Sequence, residues 1–316
     1  MMDVDAAAAT KSGRSPRVQV LLSTYNGGEH LRQQLESLLR QTIGNVAVLV
    51  RDDGSGDDTR AILEEYRSRG FLAWHGGEHM GAALSFWQLL ADADDADFYA
   101  FCDQDDVWDA DKLEVAVAAL MADGDESPAL YCSDVRVADA QLHAVSEHLV
   151  RPMPVDYSHA LVRNMAPGCT FVFNRAAKDV MCRYDARALG VDLHDWTAFK
   201  IVSCFGRVVF DQRTHMSYRQ HDRNAIGAPS AGIGVAFGKA RRFWSGPMRN
   251  SRELGAQRLE QAFLSDMPAA HAELTADFAH YRQDRTRKRR LLRWGGAGLP
   301  AAERVLFRLL VLFNRL

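Results

Sequence analysis

The feature that most constrains this 316-residue chain is a repeated order: a short apolar run, a loop rich in Gly, Asp and hydroxyl residues, then apolar residues at helical spacing. Val18 to Ser23 (VQVLLS) breaks into TYNGG, after which Leu31, Leu35, Leu38 and Leu39 mark one helix face within Glu29 to Leu39. Val46 to Val50 breaks into RDDGSGDDT ahead of a helical stretch at Ala61 to Tyr66. Leu72 to Trp74 reads as a weak strand and Ala82 to Leu90 as a helix. Phe98 to Cys102 (FYAFC) then breaks into DQDDVW ahead of a helix from Ala110 to Met121. Alternation of this kind predicts an α/β fold with a mainly parallel sheet, because parallel neighbours need a crossover and the crossover helix packs on the sheet. Ligands bind such sheets at the carboxyl ends of the strands, where the loops diverge, and the RDDGS and DQDD loops both fall on that edge.

Asp103, Asp105 and Asp106 crowd within four positions directly behind an apolar strand. Like charges this close repel and raise one another's pKa. A solvated loop capping the next helix, with Asp109 as N-cap, needs no such cluster behind a buried strand. A hard cation, Mg²⁺ or Mn²⁺, relieves the repulsion and leaves coordination positions open for phosphate oxygens. Alternate residues of an extended loop bring Asp103 and Asp105 toward one point, so the pair is expected to bind metal and diphosphate. At the end of the preceding run, turn formation and helix capping explain Gly54, Ser55 and one later aspartate. They do not explain both Asp52 and Asp53, one of which is expected to accept from a base N–H or a ribose hydroxyl.

Hydrophobic residues make up 47% and charged residues 25% of the chain, the balance of a soluble globular protein. A formal charge of −3 argues against a nucleic-acid partner. The charge is unevenly spread, with 16 Lys and Arg against 7 Asp and Glu from Lys239 to Leu316, and 22 against 34 upstream. Cys102, Cys132, Cys169, Cys182 and Cys204 lack C-x-x-C spacing and lie mostly in apolar runs, which predicts buried reduced thiols in a cytoplasmic protein. Residues 1–17 carry Lys11, Arg14 and Arg17 among alanines without the apolar run of a secretory signal, and read as a disordered tail.

Taken in order, STYNGGEHLRQQLESLLRQT, VRDDGSGDDT and FCDQDDVW resemble the successive signatures of family 2 glycosyltransferases with the GT-A, nucleotide-diphospho-sugar transferase fold. NMAPGCTFVFNRAA, LHDWTAF and YRQHDRNAIG are similar to later blocks of the bacterial branch that transfers rhamnose to cell-surface polysaccharides, and the likeness runs from Val18 to Gly227. The resemblance implies a nucleoside pocket lined by Ser23, Tyr25 and Asp53, with Asp53 near the base and Asp52 in support. It implies a metal-holding D-x-D pair of Asp103 and Asp105, supported by Asp106. Arg219 and His221 would close over the diphosphate, His221 as a further metal ligand. Asp195 in HDW would be the general base on the acceptor hydroxyl, and inversion comes with the family. Trp196 is either a core anchor or a sugar-stacking ring, and Gly168 either admits the acceptor closely or makes a turn. Ser85 stands where relatives often carry Asn, and Thr197 where many carry an aromatic, so these departures bear on acceptor or sugar preference.

The implied reaction transfers L-rhamnose from dTDP-L-rhamnose, or another sugar from a donor such as a UDP-hexose, to a saccharide acceptor, including a lipid-linked one. A nucleotidyltransferase would carry Arg and Lys in a Gly-rich first loop, where this chain has STYNGG. A polysaccharide-binding scaffold would have no need of DQDD, HDW and RQHDRN together. The expected organisation is a tail over 1–17, a catalytic domain over 18–238 and a basic helical extension over 239–316, with helices at Ser251 to Leu264, Ala269 to Arg293 and Pro300 to Leu316. RTRKRR (285–290) and ERVLFRLLVLFNRL suit an interfacial helix on anionic lipid at the inner face of the cell membrane. The competing expectation for that stretch is a cap on the core or a dimer face.

Overall fold

The computed structural model describes residues 15–122, 124–150, 153–220 and 250–316. Residues 1–14 of the expected tail, His221, and the expected boundary at 238 lie outside these. The strands are β1 (Val18–Thr24), β2 (Val46–Asp52), β3 (Leu72–Gly76), β4 (Phe98–Cys102), β5 (Val107–Trp108), β6 (Ala129–Ala138), β7 (Ala144–Ser146), β8 (Val172–Asn174) and β9 (Arg207–Arg219). They form one sheet in the order β3-β2-β1-β4-β8-β6-β9-β5, with β7 on β6. β3, β2, β1 and β4 run parallel, Val18 standing opposite both Val46 and Phe98. β8 runs antiparallel to its neighbours β4 and β6, while β9 is parallel to β6 and β5 antiparallel to β9.

The crossovers are α1 (Leu31–Leu39), α2 (Thr59–Ser68) and α3 (Ala82–Asp92), followed by α4 (Lys112–Met121), α5 (Tyr157–Ala160), α6 (Arg175–Cys182), α7 (Ala186–Leu189) and α8 (His194–Phe205). Every residue of β1 is buried because both sheet faces are covered. Its period-two alternation sends Val18, Val20 and Leu22 into one core with Leu31 and Leu35 of α1, Ile62 of α2 and Leu113 of α4. Leu21 turns to the other, with Phe86 of α3 and Phe199 of α8. That second core also takes in the chain's end through α9 (Ser251–Phe263), α10 (Ala269–His280), α11 (Arg285–Trp294) and α12 (Ala301–Leu312), which contribute Phe263, Phe278, Leu291 and Phe307. The C-terminal helices are thus packed beside the sheet and share its second core.

Some sequence-based expectations are corrected. The helix expected over Ala269 to Arg293 is broken at 281–284, where the Asp284 carboxylate accepts the N–H groups of Thr286 and Arg287 and starts a new helix. Asp109 does not cap α4; its carboxylate accepts from Arg136 at 2.7 Å. Cys169 sits in a 3₁₀ turn at Gly168–Thr170. Four of the thiols are buried and free, but Cys182 is exposed. Among the described residues no helix is long and apolar enough to cross a membrane.

Candidate active site

Three loops meet at the carboxyl edge of the parallel strands and are tied together by side chains. Gln104, the x of the D-x-D stretch, accepts from Thr24 Oγ1 at 2.6 Å and from the Tyr25 N–H at 2.8 Å, and its amide donates to the Tyr25 carbonyl. The Asn26 N–H donates to Ser55 Oγ, the Gly27 N–H to Thr59 Oγ1 and the Gly56 N–H back to Asn26 Oδ1. A Cβ on Gly27 would lie 2.2 Å from Gln104 Oε1, so only glycine lets the first loop lie this close.

A buried polar chain runs beneath the first two loops. Ser23 Oγ donates to Ser85 Oγ at 2.7 Å, Arg51 Nη1 donates to the same oxygen at 3.0 Å, and Arg51 also pairs with Asp53 at 2.5 Å. Asp53 further accepts from the N–H groups of Met80 and Gly81, and His79 Nδ1 lies 3.0 Å from its Oδ2. These four partners fill a carboxylate's acceptor positions. Asp53 therefore ties β2 to the β3–α3 connection, and a nucleobase would have to displace one partner to reach it. Asp52, fully buried, is similarly engaged by Arg60 Nε at 2.7 Å and the Ser55 N–H at 3.2 Å. Tyr25 is 44% exposed, its ring 4.2 Å from that of His79. A cleft of about 400 Å³ opens beside this network, lined by Arg51, Gly77, Met80, Gln88, Asp92 and Arg187; it does not reach Asp103 or Asp195.

The third loop carries the acidic group. Among the described residues, ligand atoms of Asp103, Asp106 and Cys169 lie within 4.8 Å of one another. Asp106, expected only in support, is thus part of the group, while Asp105 stands beside it. Burial, then the charges of Asp105 and Asp195, push the Asp103 carboxyl up to about 7. Burial, Asp105 and Asp103 push Asp106 well above the carboxylate range. Asp106 Oδ1 accepts the Arg219 N–H at 3.1 Å, whereas Oδ2 is buried without a hydrogen-bond partner. Two carboxylates with an open, buried oxygen fit a hard divalent cation; a thiol is the softer donor of the set. Below them Lys112 is buried with Nζ 3.5 Å from the Trp108 ring centre, and burial lowers its pKa to about 8.

Arg219 does not stand free to meet a diphosphate in this structure. It is 2% exposed; Nε donates to the Asp105 carbonyl at 2.8 Å, and the guanidinium also donates to the Ala140 carbonyl and Gln33 Oε1. With its N–H on Asp106, the residue braces the acidic loop from the end of β9.

Asp195 lies in the first turn of α8, where Oδ1 accepts the Trp196 N–H at 2.7 Å and Oδ2 the Gly168 N–H at 3.1 Å. Each oxygen keeps an acceptor position, and Asp195 is close enough to Asp103 for its charge to raise that carboxyl. Gly168 is required by contact: a Cβ there would lie 2.5 Å from His194 Nε2 and 2.9 Å from Asp195 Cβ. Trp196 is 2% exposed and its Nε1 donates to the Ala160 carbonyl at 2.7 Å, so it is a core anchor and presents no face for a sugar. Sequence reasoning missed Gln104, Arg51, Cys169 and Lys112. Arg51, an arginine inside an apolar strand run directly before two aspartates, was the one with a visible signal.

With this geometry in view, comparison with known proteins identifies the chain's relatives. The family described as Glycosyl transferase family 2 matches residues 19–179. The dTDP-rhamnosyl transferase RfbG of Shigella flexneri is 28% identical over 222 residues, taking in 66% of this chain and 74% of that protein. The UDP-Glc:alpha-D-GlcNAc-diphosphoundecaprenol beta-1,3-glucosyltransferase WfgD of Escherichia coli is 32% identical over 104 residues, 33% of this chain and 41% of that protein. Among solved structures, S. aureus TarS 1-349 in complex with UDP-GlcNAc superposes with a TM-score of 0.54 at 19% identity, over 85% of this chain and 74% of that one. The mannosyltransferase PcManGT from Pyrobaculum calidifontis, in complex with GDP-Man and Mn²⁺, does so at 0.51 and 16% identity, over 95% of this chain and 88% of that one. The mixed sheet, its loops at the parallel edge and a family match across half of the chain together show that this protein belongs to glycosyl transferase family 2 and has the GT-A fold.

Proposed function

We propose that this glycosyltransferase moves L-rhamnose from dTDP-L-rhamnose to a saccharide hydroxyl in a single inverting displacement, on a lipid-linked or growing cell-surface polysaccharide. The observation that carries the reaction type is Asp195, a buried carboxylate with acceptor positions to spare, facing the Asp103–Asp106 group closely enough to raise the Asp103 pKa. Asp195 takes the acceptor's proton as its oxygen bonds to the anomeric carbon, the carbon–oxygen bond to the diphosphate breaks, and the bonding pair leaves with the phosphate. Asp103 and Asp106, with Asp105 beside them, would hold the divalent cation, which when bound supplies charge stabilisation to the leaving diphosphate. Gln104 and the backbone of the first loop hold Tyr25 at the donor side, where its exposed ring is suited to stack on the base. Ser23 and Asp53 belong to the layer beneath, positioning Arg51 and the β3–α3 connection.

The donor rests on likeness to a relative named as a dTDP-rhamnosyl transferase; WfgD, a relative whose name gives a UDP-Glc donor, makes a UDP-hexose the second reading. A screen of nucleotide sugars with Mn²⁺, read as nucleoside diphosphate release and as thermal shift, separates them. Preference for dTDP-L-rhamnose is expected. Preference for a UDP-hexose replaces the donor and leaves the chemistry standing, release unaffected by Asp103→Asn removes Asp103 from the metal site, and release from no donor turns the reading toward a saccharide-binding scaffold.

A further inference from the structure

Among the described residues the C-terminal helix α12 has two apolar faces, one buried in the core and one exposed. Phe307, Leu310 and Val311 are buried in the second core. On the other side Val305, Leu309 and Leu312 are 58%, 39% and 52% exposed. Their spacing of four and three puts them on a single stripe. A contiguous row of large exposed apolar side chains marks an interaction surface.

The charge around the stripe says what kind. Arg304 and Arg308, exposed and one position before Val305 and Leu309, run along its flank. Lys288 reaches its far end, donating to the Leu312 carbonyl at 3.0 Å and to Asn314 Oδ1 at 2.9 Å. The acid on this helix, Glu303, is engaged by Arg163 at 3.3 Å on the core side. Arg285, Arg289, Arg293 and Arg304 make no ion pair among the described residues, whereas Arg282, Arg287 and Arg290 are matched with Glu253, Asp277 and Glu273. A second copy laid two-fold on the stripe would bring these arginines against their own equivalents. A partner with apolar depth under a negative surface meets both features.

We infer that α12 docks on an anionic lipid surface, burying Val305, Leu309 and Leu312 at the acyl boundary while Arg304, Arg308 and Lys288 meet headgroup phosphates. The inference does not depend on the donor or the reaction: vesicle binding tests one and nucleotide release the other. The test is co-sedimentation of the full chain with vesicles of phosphatidylcholine alone or mixed with phosphatidylglycerol, together with sedimentation velocity without vesicles. The parent chain is expected to partition to the mixed vesicles and to be released by salt. Val305→Ser, Leu309→Ser and Leu312→Ser combined should lower the partition coefficient on the order of 100-fold or more. Arg304→Gln with Arg308→Gln should lower it about 30-fold, and that milder pair stands as the test should the triple variant not fold. Equal partition to neutral vesicles, no partition to either, or a self-association that the triple variant abolishes would each overturn the inference, the last in favour of a second copy.

Discussion

Asp103, Asp105 and Asp106 sit at the end of a fully buried strand, and the Asp103 carboxyl is pushed up to about 7 by burial and its neighbours. In the C-terminal helices the opposite charge is in excess, yet Asp277 accepts from Arg287 and Arg290, Glu253 pairs with Arg282, and Arg285, Arg289, Arg293 and Arg304 are exposed. Burial makes the difference. An unpaired charge in a low-dielectric site shifts its own proton equilibrium and destabilises the fold, whereas one in water is screened at little cost. The acidic region therefore carries its excess charge inside the fold, and the basic region carries its excess at the surface.

The comparison can be broken most forcefully at the residue facing the acidic group. Asp195→Asn should lower the rate of sugar transfer by about 10³-fold, measured as nucleoside diphosphate release in the presence of acceptor, with the melting temperature little changed. An unchanged rate would remove Asp195 from the chemistry and leave it a cap on α8. Next in size, Asp103→Asn should reduce Mn²⁺-dependent release at least about 100-fold while raising stability in chelator at pH 8 by about 1–3 kcal/mol. The sign follows from the raised carboxyl. Its protonated form is favoured in the fold, so its contribution to stability is present below the unfolded value near 4 and is lost as pH rises toward about 7. The gain from the variant should accordingly vanish in melts at pH 4. Mn²⁺ affinity of the parent should climb with pH through about 7 as the carboxyl gives up its proton; a flat profile would show that Asp103 is not a ligand.

Arg219→Ala sharpens the contrast from the other sign of charge, because this arginine braces the acidic loop from within. Removing its donors leaves the carbonyls of Asp105 and Ala140 without that partner and should cost about 2–4 kcal/mol in urea unfolding, with a parallel loss of metal affinity. Diphosphate affinity lost without loss of stability would instead restore Arg219 to the donor side. The smallest effect is expected on α12, where Val305→Ser, Leu309→Ser and Leu312→Ser should leave urea stability within about 1 kcal/mol of the parent; a larger fall would mean that the stripe serves the fold.

Much of the sheet was legible because hydrophobic period and loop chemistry are local signals: VQVLLS, VAVLV and FYAFC became β1, β2 and β4 with boundaries shifted by at most two residues. Less of the site was. Asp53 and Arg219 look like ligand-binding residues in sequence, and the fold has filled their hydrogen-bonding positions from Met80, Gly81, Asp105 and Ala140, partners far along the chain. Trp196 looked equally suited to a sugar or to a core, and burial by α5 decided it. Gln104 had no sequence signal at all, since its role is to bridge strand ends 80 residues apart.

By itself the sequence determined which segments extend and which coil, where the strands break into acidic and glycine-rich loops, and that one end of the chain carries the positive charge. These follow from residue type and spacing over a few neighbours. Only the tertiary structure decided that Asp106 joins Asp103, that Asp195 of α8 comes close enough for its charge to raise the Asp103 carboxyl, and that α12 hides one apolar face and shows the other. Those outcomes depend on how strands and helices distant in sequence pack, since packing sets which charges lose water and which side chains are left exposed.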